Sequence, residues 1–470
     1  MTKWNPRLPA GQRCPSQAIV SALAHDIASG ALRPGQRLPP HRELAYRLGI
    51  AVATVTKAYA EARLRGYVRS AVGNGTFVIE PPLSERRRIR PEEVTEPDTA
   101  EPRIDLSFNT PVTTLGHAVA LADALQQLGT DCRAARLLDY KRPWAGQDRY
   151  RRAGAAWLGA LGCNVGAEDV TVTGGAQHAA CIALLSTLRA GDVLLCDELT
   201  DPLAKLQANT LGLQLRGVPA DAEGMRADAL DTLCRKTRAR GLLCMPDHHS
   251  PTLAVMPETG RRALAEVARR HDLMILEHAV YRPLVEDAPR PLSAFAPERS
   301  FFLSSFSKII VPGLRVGFLA APPGRTRDLV LGLGATSWMT APLLAEVAAD
   351  WIESGVAAHF ATLQRDELRV RNQLAERHLA GFTMKALPSG MHVWLSLPPA
   401  WRADAFVREA GARGTLVLGS DAFAVRRANV PHRIRISLGG GAGSHAQLEQ
   451  GLKTLAALLV AGDSTAYIPG

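Results

Sequence analysis

The chain of 470 residues is too long for one ordinary domain and long enough for a small and a large one. Its hydrophobic fraction of 46% and charged fraction of 21% are those of a globular protein, and no apolar run approaches the ~18 residues of a membrane span, which argues against a membrane protein. Of the net charge of +10, residues 1–79 carry +8, eleven basic against three acidic side chains, a concentration suited to nucleic acid and equally to a merely basic soluble domain.

Seven cysteines (Cys14, Cys132, Cys163, Cys181, Cys196, Cys234, Cys244) are odd in number, scattered and without Cys-x-x-Cys spacing, so neither a disulfide framework nor a zinc site is expected. The start, Met1-Thr2-Lys3-Trp4-Asn5-Pro6, lacks the apolar core of an export signal. A cytoplasmic location is the expectation.

Apolar residues at helical spacing (Ala18, Ile19, Ala22, Leu23, Ile27) predict a helix over 15–29, closed by Gly30. After a turn at Leu32-Arg33-Pro34-Gly35-Gln36, Pro39-Pro40 opens a second helix over 41–48, and Gly49 ends it. A third, over 52–65, has Val55, Ala58, Tyr59 and Ala62 on its inner face and Thr54, Thr56, Lys57 and Arg63 outside. Two short helices across a glycine-containing turn make a helix-turn-helix, whose second helix can enter a major groove; any small helical bundle imitates the pattern. Residues 66–71 and 76–79 around Val72-Gly73-Asn74-Gly75 predict a hairpin, read as a wing.

This segment resembles the GntR-type winged helix through Gly30-x-Leu32-x-Pro34-Gly35-x-Arg37-Leu38-Pro39, Arg42-x-Leu44-Ala45, Thr54-Val55, Ala58-Tyr59, Gly66-Tyr67-Val68 and Gly73-x-Gly75-Thr76-Phe77-Val78. It departs from the family at Ala51-Val52-Ala53, where a Ser or Thr cap and then an arginine are usual. The resemblance implies contacts to double-stranded DNA from Arg42, Thr54, Thr56, Lys57 and Gly73. The proline-rich, charged stretch 80–103, with Arg86-Arg87-Arg88, reads as a linker.

From Ile104 apolar strands alternate with amphipathic stretches, the pattern of a large α/β domain with a mostly parallel sheet; residues 384–398, 415–418 and 433–438 suggest a smaller α/β subdomain closed by a helix over 446–459. Within the large domain, Ser304-Ser305-Phe306-Ser307-Lys308 and Pro312-Gly313-Leu314-Arg315-Val316-Gly317 combine an amine, hydroxyls and a guanidinium, a set suited to an aldehyde beside a phosphate. Thr173-Gly174-Gly175-Ala176-Gln177 is a strand end opening a helix, where free amides can hold an anion.

The Lys308 run resembles the Schiff-base segment of fold-type I aminotransferases, which implies pyridoxal 5'-phosphate. Carried over residue by residue, the resemblance places the aldehyde on Lys308. The phosphate falls to Ser305, Arg315, Gly175, Ala176 and Gln177, and a substrate carboxylate to Arg435. Asp139-Tyr140-x-x-Pro143-x-x-Gly146 and Tyr150-Arg151 resemble a further family segment. Around the cofactor ring Tyr281 is kept, while Asp201 replaces an aromatic, Ser250 an asparagine and His278 an aspartate. A neutral histidine would protonate the pyridine nitrogen poorly, so transamination is expected to be weak or absent. His248, His249 and His278 lack the acid or cysteine spacing of a metal site, so no metal is expected. Arg433, two residues before Arg435, is expected to point to the opposite face.

A winged helix (1–79), a linker (80–103) and an aminotransferase-like domain (104–470) form the architecture of the MocR subfamily of GntR-type regulators. That resemblance implies a homodimeric transcription factor answering to pyridoxal phosphate, with or without an amino-acid-like small molecule. A working aminotransferase with a fused DNA-binding domain and a regulator that has lost its cofactor are the alternatives.

Overall fold

The computed structural model describes residues 4–6, 15–28, 31–33, 35–64, 67–71, 75–78, 103–130, 137–138, 145–426 and 430–464. The chain divides into two compact units, Met1–Asp98 and Thr99–Gly470. Of the stretch 80–103 only Arg103 lies among the described residues.

In the first unit, helices Pro15–Ala28, His41–Leu48 and Val52–Leu64 precede a hairpin of Val68–Ala71 and Gly75–Val78. The second helix stops because Gly49 adopts a left-handed φ of 65°, which turns its N–H back onto the carbonyls of Ala45 and Tyr46. Val55, Ala58, Tyr59 and Ala62 of the third helix recur every three or four residues and are all buried, against Ile19, Leu23 and Leu44. The buried Tyr59 hydroxyl donates to the Pro39 carbonyl at 3.0 Å, tying the third helix to the entry of the second. Residues 36–38, read from sequence as the end of a turn and its sequel, instead line the hairpin as a third edge. Leu38 N–H donates to Thr76 O at 2.8 Å and Val78 N–H to Gln36 O at 2.9 Å.

The second unit is built on a seven-stranded sheet in the order Val170–Thr173, Gly317–Ala320, Ser300–Ser305, Met274–His278, Ala239–Cys244, Val193–Asp197, Gln214–Val218. Gly317–Ala320 alone runs against the others. Helices cover both faces, so the strands are apolar without alternation: Leu194, Leu195, Leu242, Ile275, Leu276, Phe301 and Phe302 are all fully buried. The carboxyl ends of the parallel strands deliver the chemically distinctive residues to one edge of the sheet: Asp197 and Asp201, the 247–252 turn, His278, Ser305 and Lys308.

A smaller antiparallel sheet follows, in the order Met384–Lys385, His392–Ser396, Arg433–Ser437, Leu418–Gly419. It packs under Val356–His378, Ala403–Ala412 and His445–Ser464, where Phe406, Leu452 and Leu455 are fully buried. Ile104–Asp105 pairs in parallel with Thr415–Leu416, which fastens the start of this unit to its C-terminal part. Among the described residues no helix is long and apolar enough to cross a membrane.

Candidate functional site

Lys308, Ser305, Arg315, Ala176, Gln177, Tyr281, His278 and Arg435 are brought together on the walls of one cavity of about 460 Å³. The part of its wall suited to an anion is made by backbone as much as by side chains. The helix Ala176–Thr187 begins at this wall, so its first amides, without helical partners, face the space. Gly175 precedes it with φ at +91°, and a Cβ there would come within 2.9 Å of Arg315 Nη2. Arg315 is held in place by donating to Ser307 Oγ at 3.0 Å and to the Gly174 carbonyl at 3.3 Å. Ser305 is fully buried and its hydroxyl has no hydrogen-bond partner. Such an orphan fits an anion that completes the set.

Lys308 points its amine at the carbonyl of Asn109, 2.6 Å away, and lies 4.5 Å from the centroid of Phe108. Burial lowers its pKa to about 8; Arg435 and Arg315 push the same way and Asp201 opposes them. His278 ends its strand facing the cavity, and its Nδ1 is buried without a partner. Burial, helped by Lys308 and opposed by Asp201, lowers its pKa to about 4, so the ring is neutral at pH 7. Among the described residues, Asp201 is the one carboxylate on the walls of this cavity. Through Oδ1 it caps the helix Pro202–Thr210, accepting from Leu203 N–H at 2.8 Å.

Arg435 also lines the cavity, 5% exposed. It donates to the Ser107 carbonyl at 2.5 Å and to Ser250 Oγ at 3.1 Å, its guanidinium carbon lies 4.9 Å from the Phe423 ring, and its Nε is buried without a partner. Ser250 therefore reaches the site through Arg435. The expectation for Arg433 was wrong: residues two apart on a strand share a face. Position along the strand separates the pair, with Arg433 exposed at its first residue and Arg435 enclosed at its middle. Two residues that sequence reasoning missed, Asn109 and His392, adjoin Tyr281, and Asn109 also lines the cavity. Asn109 Nδ2 is 3.0 Å from Tyr281 Oη and 3.1 Å from His392 Nδ1. Nothing local in Phe108-Asn109-Thr110 marks this role, because the partners lie 172 and 283 residues away.

In the first unit Arg42 and Lys57 are exposed and Thr54 is half-buried. Thr56 is exposed, yet its hydroxyl donates to Val52 O at 3.0 Å and lies 3.1 Å from His41 Nδ1. Its proton is therefore already committed. Gly73, and with it the hairpin tip, lies outside the described residues, as do Asp139, Tyr140 and Pro143.

The pattern of the family described as Aminotransferase class I and II matches residues 102–455, and that of the gntR family of bacterial regulatory proteins matches residues 15–78. The chain is 29% identical over 459 residues to the uncharacterized HTH-type transcriptional regulator YdeF of Bacillus subtilis (strain 168), covering 97% of this chain and 96% of that protein. It is 27% identical over 401 residues to the HTH-type pyridoxine biosynthesis transcriptional regulator PdxR of Corynebacterium glutamicum, covering 83% of this chain and 84% of PdxR. In fold it is similar to an archaeal alanine:glyoxylate aminotransferase, with a TM-score of 0.71, 23% identity, and coverage of 77% of this chain and 92% of that one.

Proposed function

The chain belongs to the aminotransferase class I and II family, with a gntR-family segment at its front, and we propose that it is a DNA-binding transcriptional regulator of the MocR type. In this reading its aminotransferase-like part senses pyridoxal phosphate together with an amino-acid-like effector. YdeF, similar over 97% of the chain, and PdxR, similar over 83% of it, are named as HTH-type transcriptional regulators, and this supports the reading. We place its work in the cytoplasm, as a homodimer, because one winged helix reads only a half-site of duplex DNA.

The residues present fit pyridoxal phosphate. Ser305 Oγ, the Arg315 guanidinium and the amides of Ala176 and Gln177 converge as a phosphate cup, with Gly175 leaving the room that a side chain would fill. The cofactor supplies an aldehyde and a ring able to accept negative charge. Lys308, with its pKa lowered to about 8, holds an amine able to meet the aldehyde. Arg435 offers its fork to a carboxylate. The neutral His278 would stand at the ring nitrogen in place of an acid, so the residues that would bind are kept and the one that would keep the ring protonated is lost. That replacement carries the reading of a sensor over that of a transaminase.

The test is to select duplexes bound by the full-length protein from a genomic pool, and to repeat the binding with pyridoxal phosphate and a panel of amino acids. Enrichment of one sequence, with an affinity that changes on adding cofactor or effector, is the expected result. Absence of any enriched sequence would remove the regulator reading.

A further inference from the structure

His392 is fully buried, and its Nε2 lies 3.1 Å from the carbonyl oxygen of Pro251. A carbonyl can only accept, so Nε2 carries the hydrogen. The ring is neutral: burial first, then the neighbouring His248 and Arg435, hold its pKa well below the ordinary imidazole value, with only the Pro251 carbonyl acting the other way. A neutral imidazole has one N–H, which leaves Nδ1 as a bare acceptor.

The Asn109 side chain, 1% exposed, meets that acceptor at 3.1 Å. An amide oxygen there would set lone pair against lone pair, so it is the amide nitrogen that faces His392. Its second hydrogen meets Tyr281 Oη at 3.0 Å. Tyr281 oxygen is therefore an acceptor on that side. Its own O–H proton is turned away from Asn109, and no acceptor among the described residues takes it. This orientation leaves Asn109 Oδ1 buried without a partner; the opposite one would set that oxygen against the bare His392 Nδ1 and lose the contact there, while the amide hydrogens would face away from both acceptors.

We propose that His392 and Asn109 are positioning residues that aim the Tyr281 hydroxyl proton into the Lys308 cavity, making Tyr281 an obligate donor to an oxygen bound there. The proposal rests on the reading of that cavity as the pyridoxal phosphate site, where the oxygen is the one on the cofactor ring. A donor at that oxygen stabilises its negative charge. Its loss should move the pH midpoint of the bound cofactor's visible absorbance upward by about half to one pH unit, the equivalent of one hydrogen bond.

The experiment is a pH titration of that absorbance in full-length protein loaded with pyridoxal phosphate. Tyr281→Phe sets the size of the shift. His392→Phe removes the acceptor that orients Asn109 and should shift the midpoint in the same direction. His392→Gln, which can donate to Pro251 and accept from Asn109, should restore it. Asn109→Asp, which cannot donate to Tyr281, should shift it as Tyr281→Phe does, and this variant decides the matter if His392→Phe fails to fold. Combining His392→Phe with Tyr281→Phe should add nothing to Tyr281→Phe alone. A wild-type midpoint in both His392→Phe and Asn109→Asp, or an unshifted Tyr281→Phe that still binds cofactor, overturns the proposal and spares the cofactor reading. A wild-type protein without any cofactor absorbance overturns both.

Discussion

Glu277 and His278 are neighbours on one strand and face opposite sides of the sheet. Glu277 is fully buried and accepts from the backbone amides of Leu292 and Ser293, at 3.0 and 2.7 Å, while His278 faces the cavity. The carboxylate nearest in sequence to the position of the missing acid is thus committed elsewhere and cannot substitute for it.

The wild-type protein, incubated with amino acids and pyruvate, is accordingly expected to show negligible keto-acid production. His278→Asp should raise it measurably, because a carboxylate beside the pyridine nitrogen favours the protonated ring. Rapid multiple turnovers by the wild type would promote the enzyme reading.

Borohydride treatment after loading with pyridoxal phosphate should leave a pyridoxyl group on Lys308, found by peptide mapping, and none in Lys308→Ala. Only the neutral amine adds to an aldehyde, and the lysine pKa is lowered to about 8. The rate of attachment should therefore rise as pH increases through about 8 and level off above it. A rate still rising steeply at pH 10 would mean that Lys308 is an ordinary solvated lysine.

Gly175→Ala should weaken cofactor binding about tenfold. The left-handed φ of +91° strains any side chain, by about 1–3 kcal/mol, and the new Cβ would press on Arg315 Nη2. Equilibrium titration with pyridoxal phosphate measures the loss; an unchanged affinity would remove Gly175 and Arg315 from the phosphate site.

Arg42→Ala should weaken binding to a selected operator by roughly 1–3 kcal/mol. The exposed guanidinium lies at the start of the second helix, next to His41, which lies 3.1 Å from Thr56 on the third. Fluorescence anisotropy across a salt series reads both affinity and slope. If neither changes, Arg42 is only surface charge.

The sequence by itself determined what depends on local spacing. The buried face of Val55, Ala58, Tyr59 and Ala62 followed from helical periodicity. The conjunction of Ser305, Lys308 and Arg315 lies within eleven residues, and the strand-to-helix turn at Gly175 was legible because only glycine tolerates its backbone. Tertiary structure alone decided the rest. The Asn109 carbonyl meets Lys308 across 199 residues, Arg435 meets Ser250 across 185, and His392 reaches Asn109 across 283. These contacts are set by a strand order that does not follow the chain and by the small sheet that carries Arg435 and His392. No spacing rule relates residues whose only link is that two sheets bring them to the same wall. For the same reason the direction of one hydroxyl proton, on Tyr281, depends on which nitrogen of a distant histidine lies against a carbonyl.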